Sequence, residues 1–387
     1  MKKDLVQDFQ RVFDTNEGPM RFFAPGRINL IGEHTDYNGG YVFPAAISFG
    51  TYALAVKRKD RYFRFYSANF PEIGIITSEL EDMDYCKQDD WANYPKGMIK
   101  YIREAGYEIS GGADIFFYGD IPNGAGLSSS ASIEMATGVL LENVFGLDIE
   151  RLEMIKLGQQ VENEYIGVNS GIMDQFAIGM GKKDQAMLLD CQTLDYQYAP
   201  IKLDRYSIII INTNKQRTLA GSKYNERRRE CDEALSNLQA ELPIQSLGEL
   251  SVSQFEQYQH LIDNEISRLR ARHAVTENER TKQAVRKLQA GDLAGFGQLM
   301  NQSHASLEQD YEVTGKELDT IVHTAWKQPG VIGARMTGAG FGGCAIAIVA
   351  DDQIAEFKQQ VNQVYKDTIG YDATFYTAAI HDGAKKL

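Results

Sequence analysis

The segment Pro122–Ser132 reads PNGAGLSSSAS. It follows an apolar, strand-like run, Ala113–Tyr118 (ADIFFY), and opens a stretch with helical spacing, Ser130–Phe145, in which Ile133, Thr137, Leu140, Leu141 and Val144 recur on one face. Glycine and alanine let a backbone come close to a ligand. The first amides of a helix have no internal partner and point outward with the positive end of the helix dipole. Strand, glycine-rich loop and helix in this order form an arrangement that binds phosphate. Three consecutive serines, Ser128–Ser130, supply more hydroxyls than one N-cap needs. A dinucleotide fingerprint would place a third glycine where Ser129 stands, and neither a Walker A loop nor the HRD and DFG elements of protein kinases occur. A second glycine-rich stretch, Gly338–Gly343 (GAGFGG), precedes a strand rather than a helix, the wrong polarity for a dinucleotide fold.

Two further stretches carry polar chemistry. Ala24–Gly40, APGRINLIGEHTDYNGG, packs Arg27, Glu33, His34 and Asp36 among turn glycines. Carboxylates are strong acceptors for hydroxyl donors, which suits a sugar or polyol better than an apolar ligand. His34 taken alone reads equally well as a structural histidine. Glu162 and Asp174 (in NSGIMDQFA) form the other pair. One carboxylate can hold a hard divalent cation and the other can accept a proton from a hydroxyl nucleophile. Each taken singly also reads as a solvated helix charge.

The whole chain agrees with a soluble enzyme of two lobes. Its 387 residues, 43% hydrophobic and 24% charged, fit a globular protein of two domains. The net charge of −13 makes it a poor binder of nucleic acid or anionic membrane. Cys86, Cys191, Cys231 and Cys344 are far apart, as expected of reduced thiols in a cytoplasmic protein. No signal peptide is expected, and no run approaches the ~20 apolar residues of a membrane helix. Strands are expected at 21–24, 41–47, 51–56, 62–66, 113–118, 207–211 and 344–350, and helices at 91–104, 130–145, 150–165, 224–239 and 255–288. This mixture indicates an α+β or α/β class, with a lobe boundary near 190–205.

Together these stretches resemble the GHMP small-molecule kinase family, and within it the galactose-phosphorylating members. GRINLIGEHTDYNGG is similar to their sugar-binding signature, PNGAGLSSSAS to the family's ATP motif, and TGAGFGGCAIAIV to its third motif. NSGIMDQF and LAGSKYNERR resemble segments that carry the base and a sugar contact. The resemblance implies an α+β fold with an N-terminal ribosomal S5 domain-2-like lobe (1–195) and a C-terminal α+β lobe (196–387). It implies ATP-dependent phosphorylation of the anomeric hydroxyl of α-D-galactose, the first phosphorylation in galactose breakdown, with Mg2+ as cofactor.

Carried over residue by residue, Asp174 matches the base and Arg27 the cation that stabilises the transferring group. Glu33, His34, Thr35, Asp36, Gly171 and Tyr224 match sugar contacts. Ser67, Gly124, Ala125, Gly126, Leu127, Ser128, Ser129 and Ser130 match the ATP site. Ser130 and Glu162 match metal ligands, with Ser128 the competing serine, while Trp91 and Tyr94 are placed against the adenine. The resemblance further implies a cytoplasmic monomer with small-molecule substrates and neither nucleic-acid nor membrane partners. Family members acting on mevalonate or homoserine fit less well, because those substrates lack a ring of hydroxyls for the EHTDYN loop. N-acetylgalactosamine as substrate, and a non-catalytic sugar sensor on the same fold, stand as the alternatives.

Overall fold

The computed structural model describes residues 4–122, 125–215 and 220–387, without the side chains of 220–222. The first half is built on strands β1 (Met20–Asn29), β2 (Tyr41–Val42), β3 (Pro44–Lys57), β4 (Tyr62–Ser67), β5 (Ile76–Glu79), β6 (Ala113–Gly119), β7 (Gln185–Asp190) and β8 (Tyr196–Pro200). Its helices are α1 (Leu5–Phe13), α2 (Asn93–Glu104), α3 (Ser129–Phe145), α4 (Arg151–Gln160) and α5 (Met173–Met180). The second half adds β9 (Tyr206–Asn212), β10 (Val331–Thr337), β11 (Cys344–Ala350), β12 (Thr374–Ala378) and β13 (Lys385–Lys386). Its helices are α6 (Ala220–Leu238), α7 (Val252–Tyr258), α8 (Glu265–Gln289), α9 (Leu293–Gln309), α10 (Gly315–Ala325) and α11 (Ile354–Ile369).

A six-stranded sheet in the order β13-β1-β3-β6-β4-β5 organises the first half. Alternation along β4, with Phe63 and Phe65 inward, gives the sheet an apolar face. Helices α2 to α5 cover that face with Ile99, Met135, Leu140 and Phe176. On the other face, Phe9 and Phe13 of α1 pack against Leu54 and Phe116. The β7–β8 hairpin joins β2 in a small three-stranded sheet. The division expected at residue 195 falls inside that hairpin, and β13 brings the end of the chain back to β1.

The second half holds an antiparallel sheet in the order β10-β11-β9-β12. Its central strands explain the two unbroken apolar runs. In β9, Ile209 and Ile211 face one core while Ile208 and Ile210 face another, so neither side of the pleat meets water. The core on the Ile208 side also takes Ile28, Phe43, Ile121 and Leu127 from the first half, and it welds the halves behind the glycine-rich loop.

Local structure departs from the expected elements in four places, the first being that the strands expected at 41–47 and 51–56 break at Phe43 and run on as one strand, β3. The helix at 91–104 begins as a 3-10 turn, Lys87–Ala92, with Asp90 in the left-handed region (φ 44°). The run at 150–165 widens after Gln160 into a π turn, Val161–Ile166, capped by Gly167. The run at 255–288 is two helices, because Asn264 accepts a hydrogen bond from the Ile266 amide and starts α8 afresh. Helices α1, α5 and α9 to α11 were not expected from sequence. Two interior glycines in LAGFGQ weaken the helical signal of α9.

Candidate active site

The site grows from a bulge in β1. Between Pro25 and Arg27 the register with β3 shifts, which re-aims Arg27 out of the alternating pattern. Its amide donates to the Leu127 carbonyl at 3.1 Å, tying β1 to the glycine-serine loop. A Cβ on Gly26 would lie 2.6 Å from that carbonyl oxygen, so no larger residue fits. The buried Arg27 guanidinium donates through Nε and Nη2 to the two Asp174 oxygens at 2.7 and 2.9 Å, and through Nη1 to the Gly126 carbonyl at 2.9 Å. Such a bidentate pair fixes both planes. Asp174 is the second residue of α5, and Ser128 Oγ donates to its Oδ2 at 2.5 Å. Ser128 sits in the left-handed region (φ 63°) at the cap of α3.

Opposite this pair, Glu33 is buried. Its Oε1 accepts from the Gly338 amide at 2.7 Å and from Arg335 at 3.4 Å. Burial raises its carboxyl pKa, and Arg335 and Arg27 oppose that rise. Burial also lifts Asp36, to about 6, with neighbouring Asp174 adding to the effect. A Cβ on Gly171 would fall 2.0 Å from Asp36 Oδ2, so only glycine lets that carboxyl face the cavity. His34 is brought down to about 3 by burial and then by His273, and it is the neutral imidazole. Its ring lies 5.5 Å from that of Tyr224.

These groups line one cavity of about 360 Å³, the size of a small-molecule site, with Arg27, Glu33, His34, Asp36, Asp174 and Tyr224 on its wall. A second hollow of about 190 Å³ abuts it and shares Tyr94 and Ser130. Ser67, Trp91, Phe117 and Ser129 line this second, smaller and more aromatic space. The N-terminus of α3 stands between the two. A planar base on one side, a phosphate chain past the helix start and a polyol on the other side match this layout.

Burial pushes the Glu162 carboxyl up to about 7, against the neighbouring Ser130 hydroxyl, which favours the ionised form, and with Asp174 adding to the rise. Among the described residues Glu162 has no cationic partner within ion-pair distance. A buried carboxylate beside a hydroxyl is a hard-oxygen pair suited to magnesium.

The expected site residues therefore sort by position. Arg27, Glu33, His34, Asp36, Gly171, Asp174, Tyr224, Ser130 and Glu162 meet at the first cavity, and Ser67, Trp91, Tyr94 and Ser129 at the second. Ala125 and Leu127 are buried apolar side chains, leaving only their backbone to face a phosphate. Ser128 is turned to Asp174 rather than to Glu162. Thr35 does not reach the cavity. Its hydroxyl shares one hydrogen between the Tyr41 carbonyl at 2.7 Å and the Gly32 carbonyl at 2.9 Å and closes the loop from behind. Gly124 lies outside the described residues.

Sequence reasoning missed several groups. Gly338 and Ala339 bring the third motif to the cavity. Gln175 donates to the fully buried Glu134 at 2.9 Å. The signal for Glu134 was available: an acid in the apolar stretch of α3, its pKa raised well above the ordinary range by burial and by Glu162.

Models of known families agree with this layout. Residues 7–57 match the galactokinase galactose-binding signature, 93–182 the GHMP kinases N terminal domain and 284–367 the GHMP kinases C terminal domain. Galactokinase of Ligilactobacillus salivarius is 58% identical over 388 residues, covering all of both chains. That of Exiguobacterium sibiricum is 60% identical, covering 98% of each. The chain belongs to the galactokinase family. The crystal structure of Lactococcus lactis galactokinase complexed with galactose superposes with a TM-score of 0.98 at 55% identity, covering 99% of both chains. Mevalonate kinase of Methanococcus jannaschii, with a TM-score of 0.66 and 18% identity over 95% of this chain and 100% of its own, shares the fold. Galactokinase-family membership thus accounts for the sugar-facing loop and for the glycine-serine loop together.

Proposed function

We propose that this site moves the γ-phosphoryl group of ATP onto the anomeric hydroxyl of α-D-galactose. The observation that carries the reading is the bidentate Arg27–Asp174 pair at the junction of a polar cavity and an aromatic one. Phosphoryl transfer asks for in-line positioning and charge stabilisation more than for covalent help. Asp174 accepts the proton of the attacking hydroxyl. Arg27 touches both the base and the phosphate loop, so it orients the first and faces the charge that builds on the second. Glu33 and Asp36 accept from sugar hydroxyls, and Tyr224 and His34 bound the ring. Ser130 and Glu162 would hold magnesium, which when bound would draw charge from the phosphate oxygens. The aromatic hollow beside Ser67 and Trp91 takes the adenine.

The site is complete within one chain, in keeping with a monomer. No helix among the described residues is long and apolar enough to cross a membrane, and a cytoplasmic location is part of the proposed reading. The lobes are taken as 1–195 and 196–387, with Tyr196–Pro200 and Lys385–Lys386 returning to the first.

The test is ADP release with magnesium and ATP across a panel of sugars, with phosphorus NMR of the product. Galactose should be the preferred acceptor and its phosphate should sit on the anomeric oxygen. Preference for N-acetylgalactosamine, or no release with any sugar, would contradict the reading.

A further inference from the structure

Behind the sugar-facing side of the cavity lies a ring of hydrogen bonds that the reaction itself does not use. His34 stands in the left-handed region (φ 60°), with Nε2 3.3 Å from the Ala339 carbonyl oxygen. A carbonyl only accepts, so Nε2 carries the hydrogen. The neutral ring then has a bare Nδ1, and the Tyr37 hydroxyl donates to it at 2.8 Å. With its hydrogen committed there, Tyr37 accepts from the Tyr311 hydroxyl at 2.7 Å. Tyr311 in turn accepts from the Cys231 thiol at 3.1 Å. Cys231 Sγ receives the Asn38 side-chain amide at 3.7 Å, and that same amide donates to the His34 carbonyl at 2.8 Å. The circuit closes on the residue where it began, with one hydrogen per bond; the Asn38 amide donates at both of its ends, and from Cys231 to His34 Nδ1 the bonds run in one direction. Running it the other way would point a bare Nε2 at a carbonyl lone pair.

Packing holds the rings in place. Tyr311 is fully buried, with its ring 4.9 Å from His34 and 4.5 Å from His273. Burial keeps both phenols protonated and pushes the Cys231 thiol up to about 11, so every member is neutral.

We propose that Tyr37, Tyr311 and Cys231 are positioning residues that fix His34 as its Nε2–H tautomer, so that the imidazole offers galactose a donor. The inference rests on the assignment of this cavity to galactose. His34 and Ala339 both line the cavity, so a sugar oxygen seated there shares the Nε2 hydrogen with the Ala339 carbonyl. Glu33 and Asp36 on the same wall are acceptors. A site that offers both kinds of partner rejects a sugar whose hydroxyl is misplaced, because a buried polar group is then left unpaired.

Tyr37→Phe and Tyr311→Phe keep the rings and remove the hydroxyls. Steady-state kinetics and the long-range ¹H–¹⁵N spectrum of histidine-labelled enzyme read the result, with His34→Gln identifying the His34 signals among six histidines. Wild type should show His34 as Nε2–H. Tyr37→Phe should mix the tautomers and raise KM for galactose about 5- to 20-fold, with kcat and KM for ATP within about twofold. Tyr311→Phe should act in the same direction more weakly. Tyr37→Phe should add nothing in a His34→Gln background. If Tyr311→Phe fails to fold, Tyr37→Phe carries the test alone. A wild-type Nδ1–H tautomer, or a Tyr37→Phe variant with unchanged tautomer and KM beside a damaged His34→Gln, overturns the circuit. An unchanged KM in His34→Gln overturns the sugar contact and the specificity role with it.

Discussion

Arg27 and Asp174 form the pair on which the chemistry turns, and the arginine's shape matters as much as its charge. Its three donor nitrogens reach two carboxylate oxygens and the Gly126 carbonyl at once. Lysine is a point charge and cannot span that fork. Arg27→Lys should lower kcat by at least about 10²-fold while the affinity for galactose changes little. A kcat within a few-fold of wild type would remove Arg27 from the charge-stabilising role. Asp36 gives a prediction in pH. Its pKa is raised to about 6 by burial, so the folded protein binds this proton more tightly than the unfolded chain does. The resulting stability is fully present below the unfolded carboxyl range, about 4, and is lost as pH rises through about 6. Sugar-free Asp36→Asn should therefore melt a few degrees above wild type at pH 8, with the difference vanishing below about pH 4. In the proposed reaction Asp36 accepts from a galactose hydroxyl in its ionised form, so KM for galactose should rise as pH falls through about 6 in wild type and stay flat in the variant.

At the scale of elements, the loops work because backbones meet where a side chain would not fit. Gly171 admits the Asp36 carboxyl, and Gly338 (φ +84°) lies so close that a Cβ would be 2.7 Å from the Gly126 carbonyl oxygen. Gly171→Ala should raise KM for galactose about tenfold or more with nearly unchanged melting, since the strain relaxes by turning one side chain. A variant with wild-type KM would show that Asp36 does not need this approach. These loops were legible in the sequence because their chemistry is local. Small residues, serines and acids at short spacing announce a turn at a helix start or a polar loop. The unbroken strands β9 and β11 were legible from their apolar runs. What stayed hidden is long-range. Ser128 meets Asp174 across 46 positions, Arg335 meets Glu33 across 302, and no spacing rule links them. The polar helices α9 to α11 stayed hidden too, since the cores that stabilise them come from elsewhere in the chain.

Across the whole molecule, the second half holds the sugar loop of the first from behind. Glu277 of α8 accepts from the Gly32 amide at 3.0 Å and from Ser303 at 2.5 Å, and pairs with Arg280. Its carboxyl is held down near about 2 by cationic neighbours, Arg280 first, against its own burial. The fully buried Arg335 donates to the Asn29 carbonyl at 2.9 Å, to Ser303 and to Glu33. Removing one partner strands a buried charge, so Arg335→Leu should cost about 3–5 kcal/mol in denaturant unfolding, and Glu33→Gln added to it should recover part of that loss. A loss below about 1 kcal/mol would mean that Arg335 does not carry the join between the halves. The account as a whole is tested most directly by Asp174→Asn, with turnover and nucleotide binding measured on the same preparation. The predicted result is galactose-dependent ADP release reduced by at least about 10³-fold, with nucleotide affinity within a few-fold of wild type. Turnover close to wild type in that variant would contradict it.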